Sequence, residues 1–511
     1  MQKRILYQIL PRLWNNSSHF TGKFSGIDAE TLDYLSSLGV TDVWYTGIIR
    51  HATLCREDGC TPSDKAFVKG DAGSPYSITD YYDVNPYLAD NHEERMSEFE
   101  DLIRRTHAAG MRVIIDFVPN HVSRDYSSHI KPSLGEGDDT SVHWAPGNDF
   151  FYYPGQPLVL PEGRFYPENP AKASGNCFSS HPGINDWYDT VKLNYCDFHT
   201  ATWDKMYGIL RFWAGKGVDG FRCDMVELVP PAFFQWVIRR IRQEFPDLTF
   251  IAEVYEPNQY RFYRDEVGFD LLYDKSLLYD TLRAITEGKT PASDITGVWQ
   301  RLGDLQPTML NFLENHDEQR IASDFFAGKA ENGMAALAVS LLLNTAPFML
   351  YFGQEAGERG MDDEPFSGIN GRTSIFDWWK PEGIMELCRW IHTGKGMNPD
   401  RLAVLARYRE LLKLVTEREA FGSEGKTYDL CYCQEEGEFD RNSLFAFLRG
   451  VGEEVFLIVS NFSEGDRTAC IRIPSEAADF FPEAGLPDRI TVEIKGKDDT
   501  LIGLSGETRR P

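Results

Sequence analysis

The sequence predicts an α/β fold: a (β/α)8 barrel, interrupted by an irregular subdomain after its third strand and followed by an antiparallel β-sandwich. Three observations carry this expectation. Eight short apolar runs alternate with helix-like segments; the interval after the third run is long and rich in Pro, Gly and aromatics; and closely spaced alternating strands take over after about residue 424. Strands alternating with helices imply parallel pairing through right-handed crossovers, and eight such units close a barrel better than they form an open sheet.

The eight runs are ILYQIL (5–10), VTDVWYTG (40–47), RVIIDFVPN (112–120), VDGFRCD (218–224), LTFIAEVY (248–255), FDLLYD (269–274), TMLNFLENHD (308–317) and APFMLYFG (346–353). Between them, 92–110 and 201–217 have an amphipathic helical period and end in a glycine where a C′ residue is expected. Residues 230–245 open with two prolines, which the first turn of a helix tolerates. The barrel is therefore assigned to 1–121 and 201–423. Residues 122–200 form the inserted subdomain, since an irregular stretch of that length in a compact barrel is usually a functional excursion. After a helix over 401–418, the runs 427–434, 443–450, 454–462, 468–474 and 489–496 alternate as strands of a C-terminal all-β domain, 424–511, whose expected role is packing.

With 511 residues and a formal net charge of −26, the chain is long enough for several domains and poorly suited to nucleic acid or an anionic membrane surface, both of which call for basic patches. A neutral substrate is compatible with that charge. No run approaches the roughly 20 apolar residues of a membrane-spanning helix, and the start, MQKRILYQILPRLW, lacks the core of a secretory leader. The nine cysteines suit reduced thiols rather than a disulfide framework. A cytoplasmic location is expected, or a secreted or periplasmic one if a leader was removed. Composition says nothing of oligomeric state.

Polar residues collect where the predicted strands end, the face on which barrel active sites are built. The third run ends in Asp116, Asn120 and His121, the fourth in Arg222 and Asp224, the fifth in Glu253, and the seventh in His316 and Asp317. Period 2 puts Arg222 and Asp224 on one face, so the cation is expected to orient the carboxylate and keep it ionised. Singly, each residue could be a structural ion pair or cap. Together, carboxylates converging from several strands would repel one another at a cost unless used. Two chemistries need them: a divalent metal cluster, which would favour His-x-His or added Lys and Cys ligands not found at these strand ends, and glycoside cleavage, which needs a nucleophile or base opposite a proton donor.

DFVPNH (116–121), GFRCD (220–224), AEVYE (252–256) and FLENHD (312–317) resemble, in order, the four signature regions of the α-amylase family of glycoside hydrolases. VKLNY (191–195), GSPYSITDYYDVNP (73–86) and NGRTSIFDWW (370–379) are similar to further family segments, so the resemblance spans nearly the whole chain. It implies a retaining hydrolase of α-1,4-glucosidic bonds in starch-derived glucans or maltooligosaccharides, with Asp224 as nucleophile and Glu253 as general acid and then base. Asp317 would be the third carboxylate, His121 and His316 would bind sugar hydroxyls, and Tyr76 would stack under the ring at the cleaved position. Asp80 would support the Tyr76 loop, and Asp116 is similar to a structural carboxylate. No cofactor is required for the chemistry. The same site could serve a glucanotransferase, a branching enzyme or an α-1,6-glucosidase; a barrel that had lost catalysis would instead bind carbohydrate only, and should lack one of the three carboxylates.

Two departures from the family pattern stand out. Where many members carry a Lys-His pair that grips the leaving portion of the glucan, this chain has Glu227 and Leu228. Asn120 matches a calcium-ligating position and makes structural calcium an option, but Asn194 stands where a carboxylate is often found, and the loop 14–28 lacks the Asp-x-Asn-x-Asp string of another calcium site. A hard cation wants several oxygen ligands.

Overall fold

The computed structural model describes residues 2–15, 22–57 and 59–504; part of the loop 14–28 lies outside them. All eight apolar runs become strands of one closed parallel barrel: β1 (Ile5–Ile9), β2 (Asp42–Tyr45), β3 (Arg112–Phe117), β4 (Gly220–Cys223), β5 (Thr249–Ala252), β6 (Leu271–Tyr273), β7 (Met309–Phe312) and β8 (Phe348–Tyr351). Each pairs with its neighbours in sequence, and β1 closes the ring on β8 with Ile5 opposite Phe348. The strands are shorter than the apolar runs because pairing stops before the polar ends. Asp224 and Glu253 thus stand one residue beyond β4 and β5, while Asp116 and Arg222 lie within β3 and β4 and face each other in register.

Helix starts and stops follow local chemistry. Helices Arg95–Ala108 and Ala201–Gly215 end before Gly110 (φ +81) and Gly217 (φ +95), whose left-handed conformation suits the C′ position. Pro231 opens Pro231–Ile241, where its missing N–H costs nothing. Every residue of Met334–Leu342 is buried, since the helix lies between the barrel and the C-terminal sheet, and an apolar surface on all sides demands such a place.

After β3 the chain leaves the barrel. Its excursion is held by two short antiparallel pairs, His121–Ser123 with Thr190–Lys192 and Tyr152–Tyr153 with Ala171–Lys172. Inside it, buried Arg124 pairs with Glu168 at 2.8 Å, and Asp149 accepts from Thr202 Oγ1 at 2.8 Å, tying the excursion to the helix that leads back into the barrel. At the C-terminus β9 (Lys426–Asp429), β10 (Leu444–Val451), β11 (Glu454–Asn461) and β14 (Asp499–Gly503) make a four-stranded antiparallel sheet in the order β9-β10-β11-β14. A hairpin of β12 (Arg467–Arg472) and β13 (Arg489–Ile494) accompanies it. The predicted strand 427–434 stops at Asp429, whose carboxylate accepts from Cys431 N at 2.7 Å and turns the chain. The nine cysteines are free, and among the described residues no helix is long and apolar enough to cross a membrane.

Candidate active site

The ends of the barrel strands converge on a cavity of about 230 Å3 whose walls include Asp224, Glu253, Asp317, Tyr76, His121 and His316. Beneath them lies Arg222, fully buried. Its Nη1 stands 2.6 Å from Asp224 Oδ1 and 3.6 Å from Asp116 Oδ1, and its Nη2 2.7 Å from Glu253 Oε1. Nε donates to Tyr273 Oη at 3.1 Å, and the rings of Trp44, Tyr76 and Tyr273 each lie 5.4 Å from the guanidinium carbon. One cation therefore serves three carboxylates inside an aromatic cage, where the low dielectric of the buried surroundings strengthens each attraction.

Arg222 pulls the Asp224 carboxyl down, as expected of a neighbouring cation, but not far enough to cancel the effect of burial. Burial raises the Asp224 carboxyl above its usual range, and the guanidinium only partly offsets it. Burial likewise lifts Asp116 despite the same cation. Glu253 goes further, to about 7, lifted first by burial and then by Asp224 and Asp317, against the pull of Arg222. Asp317 is the opposite case. Against the effect of desolvation, His316 and Arg222 hold it down at about 2, and its side chain remains 44 % exposed at the cavity mouth. Three carboxylates that line one cavity are thus shifted in opposite directions, Asp224 and Glu253 upward and Asp317 downward.

Backbone and side-chain donors fix Glu253. Met225 N donates to its Oε2 at 2.7 Å and Tyr255 Oη to its Oε1 at 2.8 Å. Met225 adopts φ 46°, ψ 49°, a left-handed conformation that a non-glycine residue enters only under constraint. Tyr255 escaped the sequence reading, although period 2 from Glu253 within AEVYE points to it. Tyr76 stacks on His316 with ring centroids 5.2 Å apart, and its hydroxyl is 2.6 Å from His316 Nε2 and 3.3 Å from Asp116 Oδ1. Gln8 Nε2 stands 2.9 Å from the other ring nitrogen of His316. His121 is buried beside Trp187, and burial lowers it to about 4, which leaves it neutral near pH 7.

Asp80 is not brought to this cavity. It sits in the hairpin strand Ile78–Val84, where its Oδ2 is 2.7 Å from His129 Nδ1, and it lines a separate cavity with Arg50 and His51. It fastens the hairpin that follows Tyr76 to the inserted segment. Glu227 also has structural work: its carboxylate accepts from Tyr255 N at 2.9 Å and Glu256 N at 3.1 Å, bracing the loop that carries Glu253.

The surroundings of Asn120 do not fit a hard dication. Its Oδ1 accepts from the Lys192 ammonium, which also donates to Leu228 O at 2.8 Å, so a side-chain cation already joins the inserted segment to the barrel there. Asn120 Nδ2 donates to Gly175 O, and Asn194 Nδ2 is spent on the carbonyls of Ala145 and Asn148. Amide nitrogens and an ammonium repel a metal ion. Lys192→Met should cost about 1.5–3 kcal/mol, the worth of hydrogen bonds to a charged group, read as a lower unfolding midpoint. Among the described residues, Asp28, Glu30 and His392 form the single cluster with metal-ligand spacing; it lies at the surface, away from the cavity.

The alpha-amylase catalytic domain family model matches residues 8–405. Alpha-amylase 3 of Dictyoglomus thermophilum is 22 % identical over 91 % of this chain and 85 % of its own length. Trehalose-6-phosphate hydrolase of Bacillus subtilis is 22 % identical over 100 % of this chain and 96 % of its own. The cyclic alpha-maltosyl-(1→6)-maltose hydrolase of Arthrobacter globiformis superposes with a TM-score of 0.68 at 18 % identity, covering 98 % of this chain and 99 % of that one, which shows the shared fold. With its closed barrel and convergent carboxylates, the chain belongs to the alpha-amylase family of glycoside hydrolases.

Proposed function

We propose that the protein hydrolyses α-1,4-glucosidic bonds of starch-derived glucans or maltooligosaccharides with retention of configuration. The observation that carries this reading is the single guanidinium in ion-pair contact with both Asp224 and Glu253. Two carboxylates on one fork fit the about 5–5.5 Å separation of retaining enzymes better than the about 6.5–9.5 Å of inverting ones. An alpha-amylase and a maltosyl-maltose hydrolase among the relatives support an α-glucan as substrate.

In this reading Asp224 attacks the anomeric carbon while Glu253 gives its proton to the departing glycosidic oxygen. The same Glu253, now ionised, takes a proton from the water that cleaves the ester. Asp317 and His316 hold hydroxyls of the distorted ring, and Tyr76 and His121 line the place where it sits. Lys192 supplies the cation at the Asn120 junction, so a chelator should leave that junction intact. Digestion of maltoheptaose tests the whole: shorter maltooligosaccharides and glucose are expected, whereas products longer than the substrate would establish transfer instead, and no reaction would sink the glucan assignment.

A pH dependence follows from Glu253. The free enzyme needs it protonated, and its pKa stands at about 7. Hence kcat/KM should hold on the acid side of that value and fall about tenfold per pH unit above it. Further into acid, beyond that plateau, the rate should decline as Asp224 takes up a proton. Glu253→Gln should abolish the basic limb for substrates whose leaving group needs no proton; a limb that persisted there would mean another group is the acid.

A further inference from the structure

One wall of the cavity is made by Lys69 and Ser74, Asp189 and Thr190, and Ile375 and Phe376, from three segments of the chain. The segment between the hairpin strands Ile49–His51 and Ile78–Val84 crosses it and is fastened at both ends. On one side Ala72 N donates to Phe376 O at 2.9 Å, in the segment after β8. Gly70 (φ +64) permits that approach, since a Cβ there would lie 2.2 Å from the Phe376 carbonyl oxygen. On the other side Phe67 and Val68 join Leu158, Leu160, Ala171 and Tyr188 of the inserted segment in a small hydrophobic core of their own. Ser77 Oγ donates to Asp189 O at 3.2 Å. A wall built from buried contacts is a fixed part of the fold rather than a loose flap.

Lys69 and Asp189 sit in this wall and both face the cavity. Lys69 Nζ is 3.0 Å from Asp189 Oδ1 and 4.8 Å from the centroid of the Tyr188 ring. Asp189 is 3 % exposed, and among the described residues its Oδ1 has no hydrogen bond apart from that ion pair. A buried carboxylate with spare capacity beside a half-buried ammonium, both lining a site for a neutral ligand, suits hydroxyl groups: the carboxylate accepts, the ammonium donates. The cavity measures about 230 Å3, below the roughly 300–1,000 Å3 of pockets that take drug-sized ligands, and has room for a single hexose ring. The leaving side is that of the proton donor Glu253, opposite which the terminal unit would sit.

We propose that this is a blind pocket for one terminal glucosyl unit, so that the enzyme acts at free non-reducing chain ends, with Lys69 and Asp189 reading the hydroxyls of that unit. The proposal rests on the α-glucan reading above and adds to it which end of the chain is taken and which residues select it. A chain continuing past the terminal unit would have to pass through the wall between Asp189 and Phe376. Glucose, released one unit at a time, is then the first product from maltoheptaose.

The test uses the full chain in two forms. Asp224→Asn protein is titrated calorimetrically with maltopentaose and with the same sugar blocked by a 4,6-O-ethylidene group at its non-reducing end, and the native enzyme is assayed on both. The blocked sugar should bind at least about 100-fold more weakly and stay uncleaved. Equal binding, or equal cleavage, overturns the blind pocket and leaves the hydrolase reading standing. End-selective binding without turnover by the native enzyme would sink the hydrolase reading and keep the pocket. If neither sugar binds, both fall. Lys69→Ala, which leaves the three carboxylates in place, should narrow the ratio about tenfold; an unchanged ratio would remove Lys69 from the selection.

Discussion

Asp224→Asn should lower turnover of maltoheptaose by roughly 10^4–10^6-fold, the range seen when a covalent nucleophile is removed, while glucan binding survives. An amide oxygen forms no stable glycosyl ester, so the two-step route is closed. The change is nearly isosteric, and the carboxamide oxygen can still accept from Arg222, which remains anchored by Glu253 and Tyr273. The other groups that line the cavity and are proposed to face sugar hydroxyls, among them His121, His316 and Asp317, are untouched. A second effect should accompany the first. Because the Asp224 charge helps hold Glu253 at about 7, its loss should lower the pKa of Glu253, visible in the pH dependence of whatever activity survives. Turnover near the native level would remove Asp224 from the nucleophile role. Loss of binding together with turnover would mean that the site itself had collapsed.

Arg222→Met should have the largest effect on stability. Methionine keeps an unbranched apolar stem but leaves Asp116, Asp224 and Glu253 buried around a position without a cation. Removing one member of a buried ion pair costs about 3–5 kcal/mol, and the contacts of the guanidinium with three rings are lost as well. The deficit should depend on pH in a definite direction. Without the cation these carboxyls are raised still further above their unfolded values, so protonation favours the folded variant. The gap to the native protein should therefore be widest near neutral pH and narrow as the pH falls. Unfolding midpoints measured near pH 5 and pH 8 would show it; a gap independent of pH would mean that Arg222 acts mainly by packing. Activity should be lost too, since Asp224 and Glu253 lose their shared anchor.

Much of the fold was legible because its signals are local. Each barrel strand is a short apolar run, and each helix stop at Gly110 or Gly217 is written beside the helix it ends. The strand predicted at 427–434 stops short at Asp429 for an equally local reason, a side-chain cap from Asp429 that competes with the ladder. Within the site, Asp224 and Arg222 could be paired from their spacing alone, and Tyr255 was within reach of the same rule. Asp80 shows the limit, because nothing in its neighbourhood of sequence says that its carboxylate turns toward His129.

The sequence by itself determined the eight-stranded barrel and the polar ends at which Asp224, Glu253 and Asp317 would meet. It did so because strand periodicity and closure fix which residues reach the same face. Only the tertiary structure decided how the charges are shared. It put the second arm of Arg222 on Glu253, the Lys192 ammonium on Asn120 across 72 residues, and Lys69 against Asp189 in the far wall. It also decided that Asp224 is raised rather than lowered. A neighbouring cation can be read from spacing, but the cost of burial depends on every segment packed around the group, and those segments come from loops whose meeting no local period records.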